Sequence, residues 1–218
     1  MRRSLLTPGL LTIGLRTLAL LVLALAVCLS ADDKKKRAIV FVKAGQTADL
    51  AAPKLVTALQ KCENWAVAAG LEAMLRSQDV ALDQAFWVMR WNRGEICLPE
   101  TPSMEALAEV VNREFVLNDG RHVQLELQFL PGPPTNLDAA IAGIRQQRIT
   151  LLFLRGHAYY LTGVTFDEHI GANGSRMFVS RELRLADTFP GNAPLTFVHG
   201  EDKGDDIAGT LGLRVIWL

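Results

Sequence analysis

The chain has only three cysteines, no net charge and no apolar run long enough to span a membrane. Its 23 basic residues are balanced by 23 acidic residues in a length of 218, so it lacks the basic surplus typical of nucleic-acid-binding proteins. It has no internal repeat, no low-complexity tract and no GxGxxG or Walker pattern for phosphate binding. Its four histidines show no metal-ligand spacing. These absences favour one globular domain, with no nucleic acid, metal or other cofactor expected.

The first 30 residues differ from the rest. Their only charges are Arg2, Arg3 and Arg16, and the apolar run TLALLVLALAVC follows at Thr17–Cys28. A basic start, a short apolar core and small residues before a charged stretch predict a secretory signal peptide, cut close to Ser30. The run is shorter than the roughly 20 residues that a membrane-spanning helix needs. We therefore expect an exported protein, periplasmic or extracellular.

Two alternatives for this segment stay open. The basic stretch Lys34–Arg37 directly after the apolar run is compatible with an uncleaved membrane anchor. The sequence LAVC, which ends at Cys28, loosely resembles a lipidation signal. Cleavage would leave 20 basic against 23 acidic residues, a net charge of −3, and only Cys62 and Cys97. Two cysteines in an exported protein are more often paired than free, and this bridge would contribute about 3–4 kcal/mol.

Helical patterns come first along the chain and strand patterns later. Three helices are predicted at Trp65–Arg76, Leu82–Trp91 and Ser103–Phe115, with Asn64 and Ser103 as N-caps. A fourth, short helix is predicted at Leu137–Gln147. Strands are predicted at residues 38–42, His122–Phe129, Ile149–Leu154, Ala158–Phe166, Met177–Asp187 and Leu211–Leu218. This order predicts the α+β class rather than alternating βαβ units.

Three chemically competent groups occur in the order Cys62, His157 and Asp187. Cys62 precedes a predicted helix, His157 lies between two predicted strands, and Asp187 ends a third. A catalytic thiol needs a helix start and an imidazolium to lower its pKa. The imidazole in turn needs a third polar group to orient it. The sequence therefore contains the parts of a thiol-hydrolase site.

The stretch QKCENWAVAAGLEAM resembles the papain-like cysteine peptidases, in their compact bacterial, C39-like branch. Members of that branch often have C-E-Q-W-C-W-A-A-S-x-E-M here, preceded by a Gln six positions before the nucleophile. Cys62, Glu63, Trp65, Ala68, Ala69 and Glu72 fall on matching positions. The segments LLFLRGHAYYLTGVTFDE and RLADTFPG resemble those that hold the catalytic His and its orienting Asp or Asn. The resemblance covers roughly residues 55–190.

This resemblance implies that Ala66 occupies the position of the nucleophile. Gln60, six positions upstream, matches the oxyanion-hole Gln, while His157 and Asp187 match the base and its orienting residue. The site implied is a remnant, because loss of such a nucleophile typically lowers turnover about a millionfold. Cys62 as an alternative nucleophile stands only two positions after Gln60 and before the helix. In the family, a Cys at this place commonly bridges to one beyond the helix, which implies a Cys62–Cys97 disulfide.

The expected organisation is a signal peptide at residues 1–30, a lead-in at 31–54 and a papain-like domain at 55–218. In that domain a helical half packs on an antiparallel sheet. The resemblance implies an inactive peptidase homologue that binds a peptide or protein, with no membrane contact unless the leader is retained or lipidated. One alternative is an active thiol peptidase that uses Cys62, His157 and Asp187. Another is a transglutaminase-like domain with the same order of groups.

Overall fold

The computed structural model of the protein describes residues 39–51, 58–92, 94, 97, 102–133, 137–202 and 206–218. The predicted signal peptide, its Cys28, the basic stretch Lys34–Arg37 and residues 52–57 lie outside these ranges. Among the described residues, no helix is long and apolar enough to cross a membrane. The described residues divide into two compact units, of which one contains residues 39–42 with His169–Arg176 and the other lies within Lys43–Glu168 and Met177–Leu218. The candidate functional residues discussed below lie in the second unit.

The described residues form four helices and eight strands. The helices are α1 (Ala66–Arg76), α2 (Gln84–Asn92), α3 (Met104–Val111) and α4 (Asp138–Arg145). The strands are β1 (Ile39–Asp49), β2 (Glu114–Val116), β3 (His122–Pro131), β4 (Leu151–Leu154), β5 (His157–Gly171), β6 (Arg176–Asp187), β7 (Leu195–Val198) and β8 (Ile207–Trp217). They form one antiparallel sheet in the order β2-β3-β8-β4-β5-β6-β7, with β1 also paired to β5. The predicted α+β class with an antiparallel sheet is confirmed.

The ends of two predicted helices differ from expectation. Helix α1 begins at Ala66 with Trp65 as N-cap and no side-chain cap, so the prediction that Asn64 caps it is wrong. A tight turn, in which the Trp65 N–H donates to the Cys62 carbonyl at 3.1 Å, precedes the helix instead. Helix α3 ends at Val111, earlier than predicted, because the next residues leave to pair as β2 with β3. Ser103 caps α3 as predicted, accepting from the Ala106 N–H at 3.2 Å.

Helix α1 is buried on all sides. Every residue in Val67–Leu75 is buried, as expected for a helix that is apolar around its circumference. Gly70 sits against β4, and a β-carbon added there would lie 2.1 Å from Cδ1 of Leu151. At the end of the helix, the Gln78 amide donates to the Leu213 carbonyl of β8 at 2.9 Å and accepts from the Val215 N–H at 3.1 Å. The middle and the end of α1 are thereby fixed relative to the sheet.

A two-residue turn joins β4 to β5 and positions His157. Arg155 and Gly156 both have positive φ, 52° and 78°, as type I′ hairpin turns require. Leu154 pairs with His157 across the hairpin. The sharp turn makes His157 the first residue of β5.

Candidate active-site remnant

His157 and Asp187 form a hydrogen-bonded pair across the sheet. Nε2 of His157 lies 2.7 Å from Oδ1 of Asp187, at the start of β5 and the end of β6. A carboxylate accepts hydrogen bonds, so Nε2 carries the hydrogen and Nδ1 is the remaining basic nitrogen of the neutral ring. The imidazole is 35% exposed and the carboxylate only 8%. A base held by a largely buried acid is the arrangement that orients a catalytic imidazole.

The Asp187 carboxylate is held in its charged form. Burial alone would raise its pKa, but donation from the Phe189 backbone N–H, the Asn192 amide and His157 outweighs burial, and the pKa lies below its ordinary value. The first two donors lie at 2.8 Å from Oδ1 and Oδ2 respectively. The turn after β6 thus supplies two donors that fix the carboxylate, independently of the imidazole.

Thr188 connects this pair to Gln60. The Thr188 hydroxyl donates to the Gln60 side-chain oxygen at 2.6 Å, and its carbonyl accepts from the Gln60 backbone N–H at 2.9 Å. Thr188 is fully buried and Gln60 is 5% exposed. The structure therefore brings Gln60, His157 and Asp187 together, through a residue that directly follows Asp187.

The amide of Gln60 is fully used inside the chain. Its Nε2 donates to the carbonyls of Cys62 and Glu63, at 3.1 and 2.5 Å. Two facing carbonyls can only meet the NH₂ end of the amide, so its orientation is fixed by its partners. The role expected from the sequence, donation to an oxyanion, requires a free N–H. Gln60 has none in this arrangement, because both of its amide hydrogens hold the turn that leads into α1.

Two further buried side chains hold the segment Ala58–Trp65, which we call the entry loop. The Gln84 side chain, 1% exposed, accepts from the Lys61 N–H at 3.0 Å and donates to the Leu59 carbonyl at 2.9 Å. The Tyr160 hydroxyl donates to the Ala58 carbonyl at 2.8 Å, and burial raises the pKa of this hydroxyl far above its ordinary range. The entry loop is therefore fixed from three sides.

Ala66 is the first residue of α1 and packs, half-buried, against the core. It directly follows the turn that the Gln60 amide stabilises. A methyl group at this position offers neither a nucleophile nor a hydrogen bond. No acidic residue lies in the first turn of α1, so the backbone N–H groups of that turn would favour negative charge at position 66.

Cys62 and Cys97 are joined by a disulfide, as predicted, with their Cα atoms 5.0 Å apart. The bridge links the entry loop to the segment after α2. In this form Cys62 has no thiol, which removes the atom that it would need as a nucleophile. The bridge and the Gln60 amide hold the entry loop at the same residue.

Sequence reasoning missed Thr188, Asn192 and Gln84. Thr188 and Asn192 follow Asp187 in the turn sequence DTFPGN. Polar residues are common in turns, so the sequence gives no sign that these two contact the site. Gln84 lies on a helix 24 positions after Gln60 in the sequence, and nothing in the spacing links the two. Among the residues that the structure describes, no three His, Cys, Asp or Glu side chains converge as metal ligands.

Comparison of the chain with protein-family models, with curated proteins and with solved structures found no match in any of the three.

Proposed function

We propose that the chain is an exported homologue of the papain-like cysteine peptidases that has lost its nucleophile and binds a peptide or protein without cleaving it. The observation that carries the proposal is the connected set of His157, Asp187, Thr188 and Gln60 beside a helix that begins at Ala66. A base, its orienting acid and a buried Gln at a helix start are the parts expected around a catalytic thiol.

Three features argue against catalysis. The nucleophile position carries a methyl group, the amide hydrogens of Gln60 are occupied, and the sulfur of Cys62 is bonded to Cys97. Each removes a separate requirement: nucleophile, oxyanion donor and replacement thiol. The alternative, an active peptidase that uses Cys62, needs the disulfide opened. A transglutaminase-like domain would lack its thiol in the same way.

Exposed apolar side chains around the remnant support binding. Leu59 and Phe189 are 47% and 39% exposed, and each neighbours one partner of the Gln60–Thr188 pair. The Tyr159 ring packs edge-on against His157, with centroids 4.8 Å apart. Exposed apolar side chains next in sequence to Gln60 and Thr188 suit an extended peptide that presents an apolar residue. The disulfide agrees with export to an oxidising compartment.

The assignment of Ala66 is tested by placing a thiol there. In Ala66→Cys, the helix start and His157 should lower the pKa of the introduced thiol. At mildly acidic pH its alkylation rate should therefore exceed that of an ordinary thiol by roughly tenfold or more. Ala140→Cys, half-buried in the first turn of α4, is the matched control. The wild-type protein gives the background from any other thiol.

Adding His157→Ala to Ala66→Cys should reduce the alkylation rate of the introduced thiol to that of an ordinary thiol. Equal alkylation rates for Ala66→Cys and Ala140→Cys, in folded proteins, would mean that position 66 does not face the imidazole, and the proposed descent would be wrong.

Binding is tested separately with an array of short extended peptides. Leu59→Ser/Phe189→Ser should weaken every retained peptide, and retention of no peptide by the wild-type protein would contradict the binding role.

A further inference from the structure

A cavity separate from the remnant lies between α1, α2 and β2. Its volume is about 570 Å³, within the usual range of small-ligand sites. Phe86, Phe115, Leu82 and Val116 contribute its apolar walls. Of these, Phe115 is buried and Val116 is 64% exposed. The cavity therefore has an apolar floor and an open rim.

Arg90 is the distinctive charge of this cavity, which we call the Arg90 pocket. Its guanidinium lies 4.4 Å from the ring centroid of Phe86 and 5.0 Å from that of Phe115. Contact with ring faces positions a guanidinium while leaving its N–H groups at the edges able to donate. Among the described residues, no carboxylate lies within ion-pair distance of Arg90.

The other charges of the Arg90 pocket have partners within the described chain. Arg76 pairs with Glu72 one turn earlier in α1. Asp83 accepts from the Phe86 N–H at 2.9 Å and lies 3.3 Å from Nζ of Lys61, and Glu114 lies 2.7 Å from Nδ1 of His122. Arg90 is thus the cation of the Arg90 pocket that has no carboxylate partner among the described residues, unlike Arg76, and it is able to bind an anion.

We propose that the Arg90 pocket binds a ligand with a single carboxylate next to a flat apolar group, the carboxylate on Arg90 and the apolar group against Phe115 and Leu82. The two carboxylates of the pocket, Asp83 and Glu114, disfavour a doubly charged phosphate. A free carboxylic acid and the C-terminus of a peptide that ends in an aromatic residue share this chemistry. The inference needs neither the remnant nor its proposed ligand.

The probe is 3-phenylpropionate, titrated into the intact protein by calorimetry. Its neutral isostere 3-phenylpropionamide and the dianion phenyl phosphate are the ligand controls. The acid should bind roughly tenfold or more tightly than the amide, because hydrogen bonds to charged groups are about twice as strong as neutral ones. Phenyl phosphate should also bind more weakly than the acid. A tripeptide that ends in Phe, with free or amidated C-terminus, distinguishes a chain end from a free acid.

Protein variants locate the binding. Arg90→Gln should lose the preference for the acid over the amide, whereas Arg145→Gln, an exposed arginine on α4, should keep it. Val116→Glu adds a negative charge at the rim and should weaken binding of the acid, whereas Val116→Gln should leave this binding unchanged. Equal binding of acid and amide, no binding of either acid or free-ended tripeptide, or an unchanged preference in folded Arg90→Gln would each overturn the proposal.

Discussion

The entry loop and the Arg90 pocket both place polar side chains beside buried aromatic residues. The polar groups at the entry loop have hydrogen-bond partners within the chain, whereas the Arg90 guanidinium has no carboxylate partner among the described residues. Gln60 in the entry loop and Gln84 on α2, which holds that loop, use both ends of their side-chain amides in hydrogen bonds within the chain. In the Arg90 pocket, the guanidinium meets only ring faces within the described residues. Satisfied buried groups rigidify a structure, whereas an exposed charge without an opposite charge is available to a ligand.

This difference separates two kinds of outcome. Changes in the entry loop should lower the free energy of unfolding, because they leave buried partners without hydrogen bonds. Changes at Arg90 should alter ligand affinity and leave the fold nearly as stable as before.

Removal of the disulfide should have the largest effect on stability. The bridge closes a loop with a sequence separation of 35 residues, so Cys62→Ala/Cys97→Ala should lose about 3–4 kcal/mol of unfolding free energy. Denaturant titration measures the loss. The wild-type protein in reductant should fall to the same stability, and an unchanged midpoint in both samples would contradict a structural role of the bridge.

Gln60→Ala should cost nearly as much, about 3 kcal/mol. The substitution removes three hydrogen bonds, two from the amide to the Cys62 and Glu63 carbonyls and one from the Thr188 hydroxyl, and each contributes about 0.5–1.5 kcal/mol. Gln46→Ala, at an exposed glutamine with one long hydrogen bond to the Ala44 carbonyl, is the control and should change little. Similar midpoints for the two variants would show that the Gln60 network does not hold the fold.

Asp187 should produce a smaller, pH-dependent effect. Its pKa is lower in the folded protein than its ordinary value of 3.8, so its charged form stabilises the fold above that value and the contribution is lost as pH falls through the folded pKa. The stability of Asp187→Asn should therefore fall less steeply than that of the wild type below about pH 4. Urea titrations across the acid range test this, and parallel pH profiles would contradict it.

Arg90→Gln should have the smallest effect on stability. An exposed guanidinium over aromatic rings contributes about 0.5–1 kcal/mol, so the thermal midpoint should shift only slightly. A loss comparable to that of Gln60→Ala would indicate that Arg90 is a structural residue, and the contrast between the two regions would disappear.

The order of the four helices and of the strands other than β2 and β7 could be predicted from sequence, because it follows from local patterns. The disulfide could be predicted from the number of cysteines. Strand β2 could not be predicted: Glu114 and Phe115 continue a helical pattern, yet they pair with Gln124 and Val123 in a hairpin, and this pairing overrides the local helix propensity. The proximity of His157 and Asp187 was expected from their segments. The occupation of the Gln60 amide was not, because it depends on the position of Thr188 and on the turn at Cys62 and Glu63.

The two-residue turn at Arg155 and Gly156 has a consequence for the position of His157. Side chains alternate between the faces of a strand, so inserting or deleting one residue there would move position 157 to the opposite face and displace every buried residue of β5 as well. Selection for a stable sheet alone therefore keeps position 157 on the face it shares with Tyr159. The position of the His157–Asp187 pair is therefore tied to the packing of the core as well as to the hydrogen bond between the two side chains.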